Sequence, residues 1–334
     1  MLRYAWVLLL LAPAASAKYA PLWFADRVLR ADVIAVGRVE KLAGGSYWLR
    51  VERALTGCKD GELLKVRRFV NWTCARRQRL YRKGERIVAI LGRFPDGLAP
   101  LGSACEGEVL LSKEGARVIH PPGPDVVFER DVIQAITELR GGFELKRLLR
   151  SKSVLVLQAT VEKLYFGSFD KEGLAAEEAD AFARLLTHDD ASLRMDTAKG
   201  LARMVGADRA ATLVRGLAKK EKRGGARLAI AIALCYARPK DVAAYDLLLE
   251  VLARYEPASK EEMFGIQHLL YDAQQLGPAV GELYPRVRRL LARDLKRELE
   301  HPLLIALRRW HGEKEPLPYA AMAKERQRWL DRTR

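Results

Sequence analysis

Cysteine and histidine are scarce in this chain, and where they lie excludes more than their number does. Four cysteines and five histidines are spread over 334 residues. No CxxC pair occurs and the histidines are scattered, which argues against a structural zinc site. The motifs of common catalytic machinery are also missing. There is no GxSxG nucleophile elbow, no GxxxxGK[ST] phosphate loop, no HExxH and no GxGxxG after a strand. No cofactor or metal is implied, and the sequence points away from an enzyme. Acidic residues are short as well: 42 Asp and Glu face 58 Lys and Arg, a net charge of +16. Such an excess speaks to solubility and to anionic partners rather than to fold. After the N-terminus, no run is long and uncharged enough to be a membrane span.

At the N-terminus, Arg3 precedes the short apolar core AWVLLLL (Ala5 to Leu11), followed by Ala15-Ser16-Ala17. A basic start, a short apolar core and small residues at a cleavage site form a secretory signal, here residues 1–17, with Lys18 as the mature start. The protein is expected outside the cytoplasm, periplasmic or extracellular, where disulfides persist.

Residues 18–120 read as short strands. PLWFADRVLR (21–30) has the spacing of a short amphipathic helix. ADVIAVGRVEKL (31–42), SYWLRVERAL (46–55), Glu62 to Val70 and RIVAIL (86–91) carry the alternation and β-branched residues of strands, with Gly44-Gly45 as a hairpin turn. In the second strand Tyr47, Leu49, Val51 and Arg53 fall on one face by the period of two. Short strands are also expected at 98–101, 109–111 and 117–119, which together indicate a small barrel or sandwich. The motifs ADVIAVGRV, RALTG, Cys74, RKGERIVAIL and SACEGEVLL around Cys105 occur in an order that resembles the OB-type barrel of netrin-like domains, including the tissue inhibitors of metalloproteinases. That resemblance implies an extracytoplasmic inhibitor of a hydrolase as an alternative function. The sequence departs from it at the mature start, Lys18-Tyr19, where those inhibitors place the cysteine that meets the target zinc. From the strand order, a disulfide is expected between Cys74 and Cys105, with Cys58 unpaired; Cys58 with Cys105 is the competing pair.

HPPGPD (120–125) cannot sit inside a helix or central strand, so a linker at 121–125 separates the barrel from residues 126–334. Beyond it, AFARLLTHDDASLRMDTAKGLARMVG (181–206) reads as a complete helical hairpin. Leu148, Leu149, Val156, Val161 and Leu164 fall under Leu185, Leu186, Leu193, Ala198 and Leu201. Ala229, Ile232, Ala233 and Tyr236 match the next unit, and Ile266, Leu269, Leu270 and Ala273 the one after. The pattern resembles HEAT-like repeats, which implies an α-solenoid of about five hairpins. The alternative is a non-repetitive bundle. Glycine pairs such as Gly224-Gly225 and Pro239 are expected to punctuate the repeats. Tyr284 to Leu299 and Pro302 to Trp310 form a last hairpin, and Tyr319 to Leu330 a capping helix with Met322 and Trp329. Cys235, inside LAIAIALCYA, is expected as a buried thiol. His188, Asp189 and Asp190 read as a polar turn, with Asp190 as helix cap.

The fold class is therefore α+β multidomain: an OB-like antiparallel barrel followed by a helical solenoid. The binding candidates are the basic run Lys65, Arg67, Arg68, Arg76, Arg77, Arg79, Arg82, Lys83 and Arg86, with Trp72 and Tyr81 interleaved and Glu85 as the one acid. Arginine forks hold carboxylates and phosphates. The expected partner is a protein or an anionic envelope polymer; export argues against nucleic acid. A second basic group, Arg286, Arg288, Arg289, Arg293, Lys296 and Arg297, reads as a solvated helix face. The function expected is a non-catalytic binding or scaffold protein of the cell envelope.

Overall fold

The computed structural model describes residues 22–68, 81–102, 107–112, 115–117, 128–166, 173–293, 295–313 and 317–331. Two compact units divide the chain: Met1–Pro121 with Asp125–Arg130, and Pro122–Pro124 with Asp131–Arg334.

The first unit begins with a short helix, α1 (Phe24–Arg30), followed by β1 (Val33–Ala43), β2 (Ser46–Thr56), β3 (Leu63–Arg67), β4 (Arg86–Phe94), β5 (Gly97–Pro100), β6 (Glu108–Ser112) and β7 (Gly115–Arg117). The strands run in the order β1-β2-β3-β5-β4-β6-β7, and β1 also pairs with β4. That extra pairing closes five strands into a barrel, β1-β2-β3-β5-β4-β1, and removes their free edges. The barrel is not wholly antiparallel: β3 meets β5 in parallel at Val66 and Leu98.

Alternation explains the interior. Tyr47, Leu49 and Val51 of β2 and Leu64 and Val66 of β3 are buried together with Val33, Ala35, Ile87 and Leu91. Ile34, Val36, Val88 and Ile90 have the opposite parity and are buried too. β1 and β4 are thus covered on both faces, which is why VIAV and IVAIL read as continuous apolar runs. α1 packs against β4 and buries Phe24, Ala25 and Val28. Arg53 does not join the inward set; it is exposed. Register shifts between Ile34 and Ala35 and between Val36 and Gly37 break the simple period opposite the end of β2. Gly57 follows β2 with φ +69°, and a Cβ there would stand 1.9 Å from the Asp32 carbonyl oxygen, so only glycine fits this return.

The second unit is helical: α2 (Glu129–Arg140, its first two residues grouped with the first unit), α3 (Leu145–Leu148), α4 (Val154–Phe166), α5 (Ala176–Arg184), α6 (Ala191–Val205), α7 (Ala207–Ala218), α8 (Gly224–Ala237), α9 (Val242–Leu252), α10 (Lys260–Asp272), α11 (Tyr284–Leu291), α12 (Arg297–Trp310) and α13 (Met322–Asp331). The repeat alignment places α4, α6, α8 and α10 in equivalent positions, and these helices pack side by side in that order, with α12 next. We call them the B row. α5, α7, α9 and α11 form the A row; α7 and α9 both lie along α8. The B row curls so tightly that α6 also touches α10. α8 is therefore enclosed, and Leu228 to Cys235 are buried without interruption, as a helix apolar on every side must be. Cys235 is a free thiol inside it, its pKa pushed up by burial.

Several boundaries differ from the sequence expectation. Gly224-Gly225 do not separate helices; they are the first residues of α8. Pro302 does not begin a helix but lies inside α12. Its place in the second turn is tolerable, since only the bond to Glu298 is lost. Met322 and Trp329 are buried, as expected of a terminal cap. The linker 121–125 lies outside the described residues.

Arginines join successive helices. Five guanidinium groups donate to carbonyls at helix ends or in the turn before α6, where C=O groups lack helical partners. Arg147 reaches Glu138 O and Gly142 O at 2.9 and 2.6 Å. Arg194 reaches His188 O and Asp189 O at 2.9 and 2.8 Å. Arg223 reaches Thr187 O at 2.6 Å. Arg293 bonds Leu252 O and Ala253 O. Arg326 reaches Leu291 O at 2.7 Å and Arg293 O at 2.6 Å. The second basic group is accordingly not a plain solvated face: Arg286 pairs with Asp246, and Lys296 with Glu256 at 3.1 Å.

Candidate binding face of the barrel

Because Tyr47, Leu49 and Val51 point inward, Ser46, Trp48 and Arg50 of β2 point outward. The pairings then fix their neighbours. Trp48 stands between Lys41 on β1 and Lys65 on β3. The Lys41 and Lys65 ammonium groups lie 5.1 and 5.7 Å from the indole centroid. Cation–π attraction of about 0.5–1 kcal/mol at each exposed contact holds both lysine stems along the ring. Among the described residues neither lysine has an acidic partner.

Two residues further along β3, Arg67 pairs with Asp96 in the β4–β5 turn and lies 5.8 Å from the Phe94 ring centroid. Arg68 donates to Gly44 O, in the β1–β2 turn. Phe94 and Leu63, exposed large apolar residues, flank the same outer face of β3. The face thus combines Trp48, Phe94 and Leu63 with Lys41, Lys65 and Arg67, bordered by the β1–β2 and β4–β5 turns.

The structure separates the sequence candidates. Lys65, Arg67 and Arg68 lie on or beside this face. Trp72, Arg76, Arg77 and Arg79 lie outside the described residues, as do Cys74 and Cys105. Arg82 and Lys83 are exposed in the turn before β4. Tyr81 does not present itself to a ligand: it stacks on Tyr47 at 5.2 Å and donates to buried Glu108 at 3.1 Å. Arg86 is engaged as well, holding Glu129 at 2.5 and 2.9 Å and also Glu52. Those hydrogen bonds raise its pKa further. Arg50 is spent on Glu40, which it grips at 2.8 and 3.0 Å and whose pKa it lowers.

Sequence reasoning missed Lys41 and Trp48. The signal was available: with Tyr47 and Leu49 inward, the intervening tryptophan had to face out, an unusual place for so large a ring. The described residues flanking Cys105 lie along β4. Leu101 N bonds Ile90 O, and Gly107 sits against the same carbonyl. The chain on either side of Cys105 therefore meets the middle of β4.

In the helical unit, His188, Asp189 and Asp190 are structural. Asp190 caps α6 by accepting from Leu193 N at 2.8 Å, His188 Nδ1 accepts from Asp190 N at 3.0 Å, and Asp189 pairs with Arg223 at 2.9 Å. Among the described residues no group of three or more His, Cys, Asp or Glu side chains is placed to hold a metal, and no helix is long and apolar enough to cross a membrane. No family model, no curated protein and no solved structure matches the chain.

Proposed function

We propose that this is an exported, non-catalytic binding protein of the cell envelope whose barrel takes an anionic polymer on the outer face of β1, β2 and β3. The observation that carries the reading is the Lys41–Trp48–Lys65 ladder. Its two ammonium groups have no acidic partner among the described residues and are pinned to one ring, within about 11 Å of each other by their distances to the centroid. Pinning lowers the side-chain entropy lost when an anion binds. OB-type barrels bind oligomers through strands 2 and 3 and the bordering turns, and the ring order and the position of Trp48 and Lys65 support placing the ligand there. The signal-like segment 1–17 supports export. The two-row stacking of equivalent helices supports the HEAT-like reading, and the barrel the netrin-like one. The Cys74–Cys105 disulfide belongs to the same proposal; non-reducing peptide mapping of exported protein tests it, and a crosslink through Cys58 refutes it.

The binding test is a salt series. Retention of the exported chain on immobilised heparin, a sulfated polymer probe, should fall steeply with salt, since counterions screen exposed charges beyond about 8 Å near physiological ionic strength. The Lys41→Glu, Lys65→Glu variant should elute with the void. Retention equal to that of the unaltered protein defeats the proposal.

A further inference from the structure

The direct contact between α6 and α10 creates a second surface, built without the barrel. Asp196, Lys199 and Arg203 lie three and four residues apart and form one stripe on α6; Glu261, Phe264, His268 and Tyr271 form the matching stripe on α10. The stripes meet at Lys199 and Phe264. Lys199 lies 5.7 Å from the Phe264 ring centroid, and Phe264 takes the His268 ring edge-on at 4.4 Å. On one flank Arg203 lies over Tyr165 of α4 at 5.5 Å; on the other, Arg309 of α12 lies over Tyr271 at 4.5 Å. Three cation–aromatic pairs thus cross four helices of the B row. Among the described residues neither Arg203 nor Arg309 has an acidic partner.

Phe264 is the anomaly. It is 55% exposed at a place where burial was available to its neighbours Gly265 and Ile266. A position in the last helical turn explains a cation such as Arg203 or Arg309, which offsets the carbonyl end of the helix dipole. It does not explain an exposed phenylalanine between Lys199 and His268, with arginine–tyrosine pairs on either flank. Aromatic residues and arginine, with little glutamate or aspartate, are the composition of protein-interface centres. Charge is graded along the face. Asp196 and Glu261 stand at the N-terminal end of the stripes, and Arg203, Arg309 and His268 towards the C-terminal end, where Asp272 is the acid in the last turn of α10.

We propose that this face of α4, α6, α10 and α12 docks an acidic protein segment, an apolar side chain covering Phe264 and carboxylates reaching Arg203 and Arg309. The inference deepens the binding-protein reading and rests on it, but uses residues remote in sequence from the barrel face. The test is fluorescence anisotropy with a labelled glutamate- and leucine-rich peptide and the full exported chain. Arg203→Glu with Arg309→Glu, and separately Phe264→Ser, should each weaken peptide binding by about tenfold or more. Lys41→Ser with Lys65→Ser should leave it unchanged, and a lysine-rich peptide should not bind. All substituted side chains are exposed or half-buried, and an unchanged unfolding midpoint confirms that each variant folds. Peptide binding that ignores the helical substitutions, or that is lost only with the barrel lysines, overturns the assignment while leaving the barrel proposal standing. If heparin retention rather than peptide binding is lost in the Arg203, Arg309 variant, the face serves a polysaccharide and the proposal fails.

Discussion

Positive charge does different work in the two units. In the helical unit, Arg147, Arg194, Arg223, Arg293 and Arg326 donate to backbone carbonyls at helix ends and in the turn before α6. In the barrel, backbone pairing already closes the ring, so cations are not needed to join its parts. Some are neutralised by neighbouring acids, as Arg50 is by Glu40 and Arg86 by Glu52 and Glu129. Others, Lys41 and Lys65, are held on an indole with no acid to meet them among the described residues. The net charge of +16 is thus a sum of two unlike populations. A count of lysines and arginines cannot separate them; only the partner of each side chain does.

The sharpest way to break this contrast is to remove a clamping arginine from the core of the stack. Arg194 Nη2 donates to Glu262 Oε1 at 2.8 Å, and the Glu262 side chain is fully buried. Tyr255 Oη and Ala258 N also donate to that carboxylate, at 3.2 and 2.8 Å. Arg194→Met should cost about 3–5 kcal/mol, because it leaves a buried carboxylate uncompensated. Urea unfolding measures it. Adding Glu262→Leu should restore much of the loss. Arg86→Met in the half-exposed barrel network should cost about 1 kcal/mol. Equal costs at the two sites would erase the distinction between the units.

The helix-end clamps come next. Arg326→Ala frees Leu291 O and Arg293 O and loosens α13 from the end of α11. A loss of about 1–2 kcal/mol is expected, from charge-assisted bonds partly replaced by water. Hydrogen exchange should report it locally, with faster exchange in α13 than in α6. Uniform acceleration would mean that the clamp does not act at the end of the stack.

What could be read in advance follows from the range of each interaction. Leu185, Leu201, Ile232 and Ile266 announced themselves by local periodicity, and the structure puts all four in the helical core. Asp190 could be assigned as a cap because its partner, Leu193 N, is three residues away. Arg194 and Glu262 are 68 residues apart, so no local pattern pairs them. Their presence also explains Gly225, read from sequence as a breaker: a Cβ there would lie 2.7 Å from Arg194 Nη2. The glycine makes room for an ion pair that the sequence does not display. On the barrel the reverse happened. The basic run was conspicuous, but Tyr81 and Arg86 are occupied structurally, while the quieter Lys41 and Trp48 complete the face.

A smaller effect is expected at Asp196, in the patch between α6 and α10. Burial pushes its pKa up to about 6 from the ordinary 3.8; Asp190 and Glu261 add to the rise and Lys199 opposes it. The folded state therefore binds the proton more tightly than the unfolded state does. Linkage then makes this residue's contribution to stability greatest below about pH 4, and it is lost as pH rises through about 6. Asp196→Asn should remove that slope. At neutral pH the variant should be more stable by about 1 kcal/mol, after allowing for solvent screening of a half-buried side chain. Unfolding midpoints taken between acid and neutral pH decide it. A wild-type curve that rises through this window, with the asparagine variant parallel to it, would show that Asp196 is not the titrating group.

The smallest effect on stability should come from the barrel lysines, and its smallness is the informative part. Lys41 and Lys65 touch only the Trp48 ring among described partners, at distances where each contact is worth about 0.5–1 kcal/mol. Two like charges near one ring also repel, which offsets part of that gain. Replacing both with serine should therefore shift the unfolding free energy by no more than about 0.5 kcal/mol, as for ordinary surface changes. The same variant should lose retention on heparin. Arg326→Ala should show the opposite pairing, a measurable loss of stability with retention intact. If the lysine variant is destabilised as much as the arginine variant, the ladder is a structural brace and its charges are not reserved for a ligand. If both variants retain heparin equally, the excess charge acts diffusely over the whole chain, and the division between clamping arginines and presented lysines has no functional content.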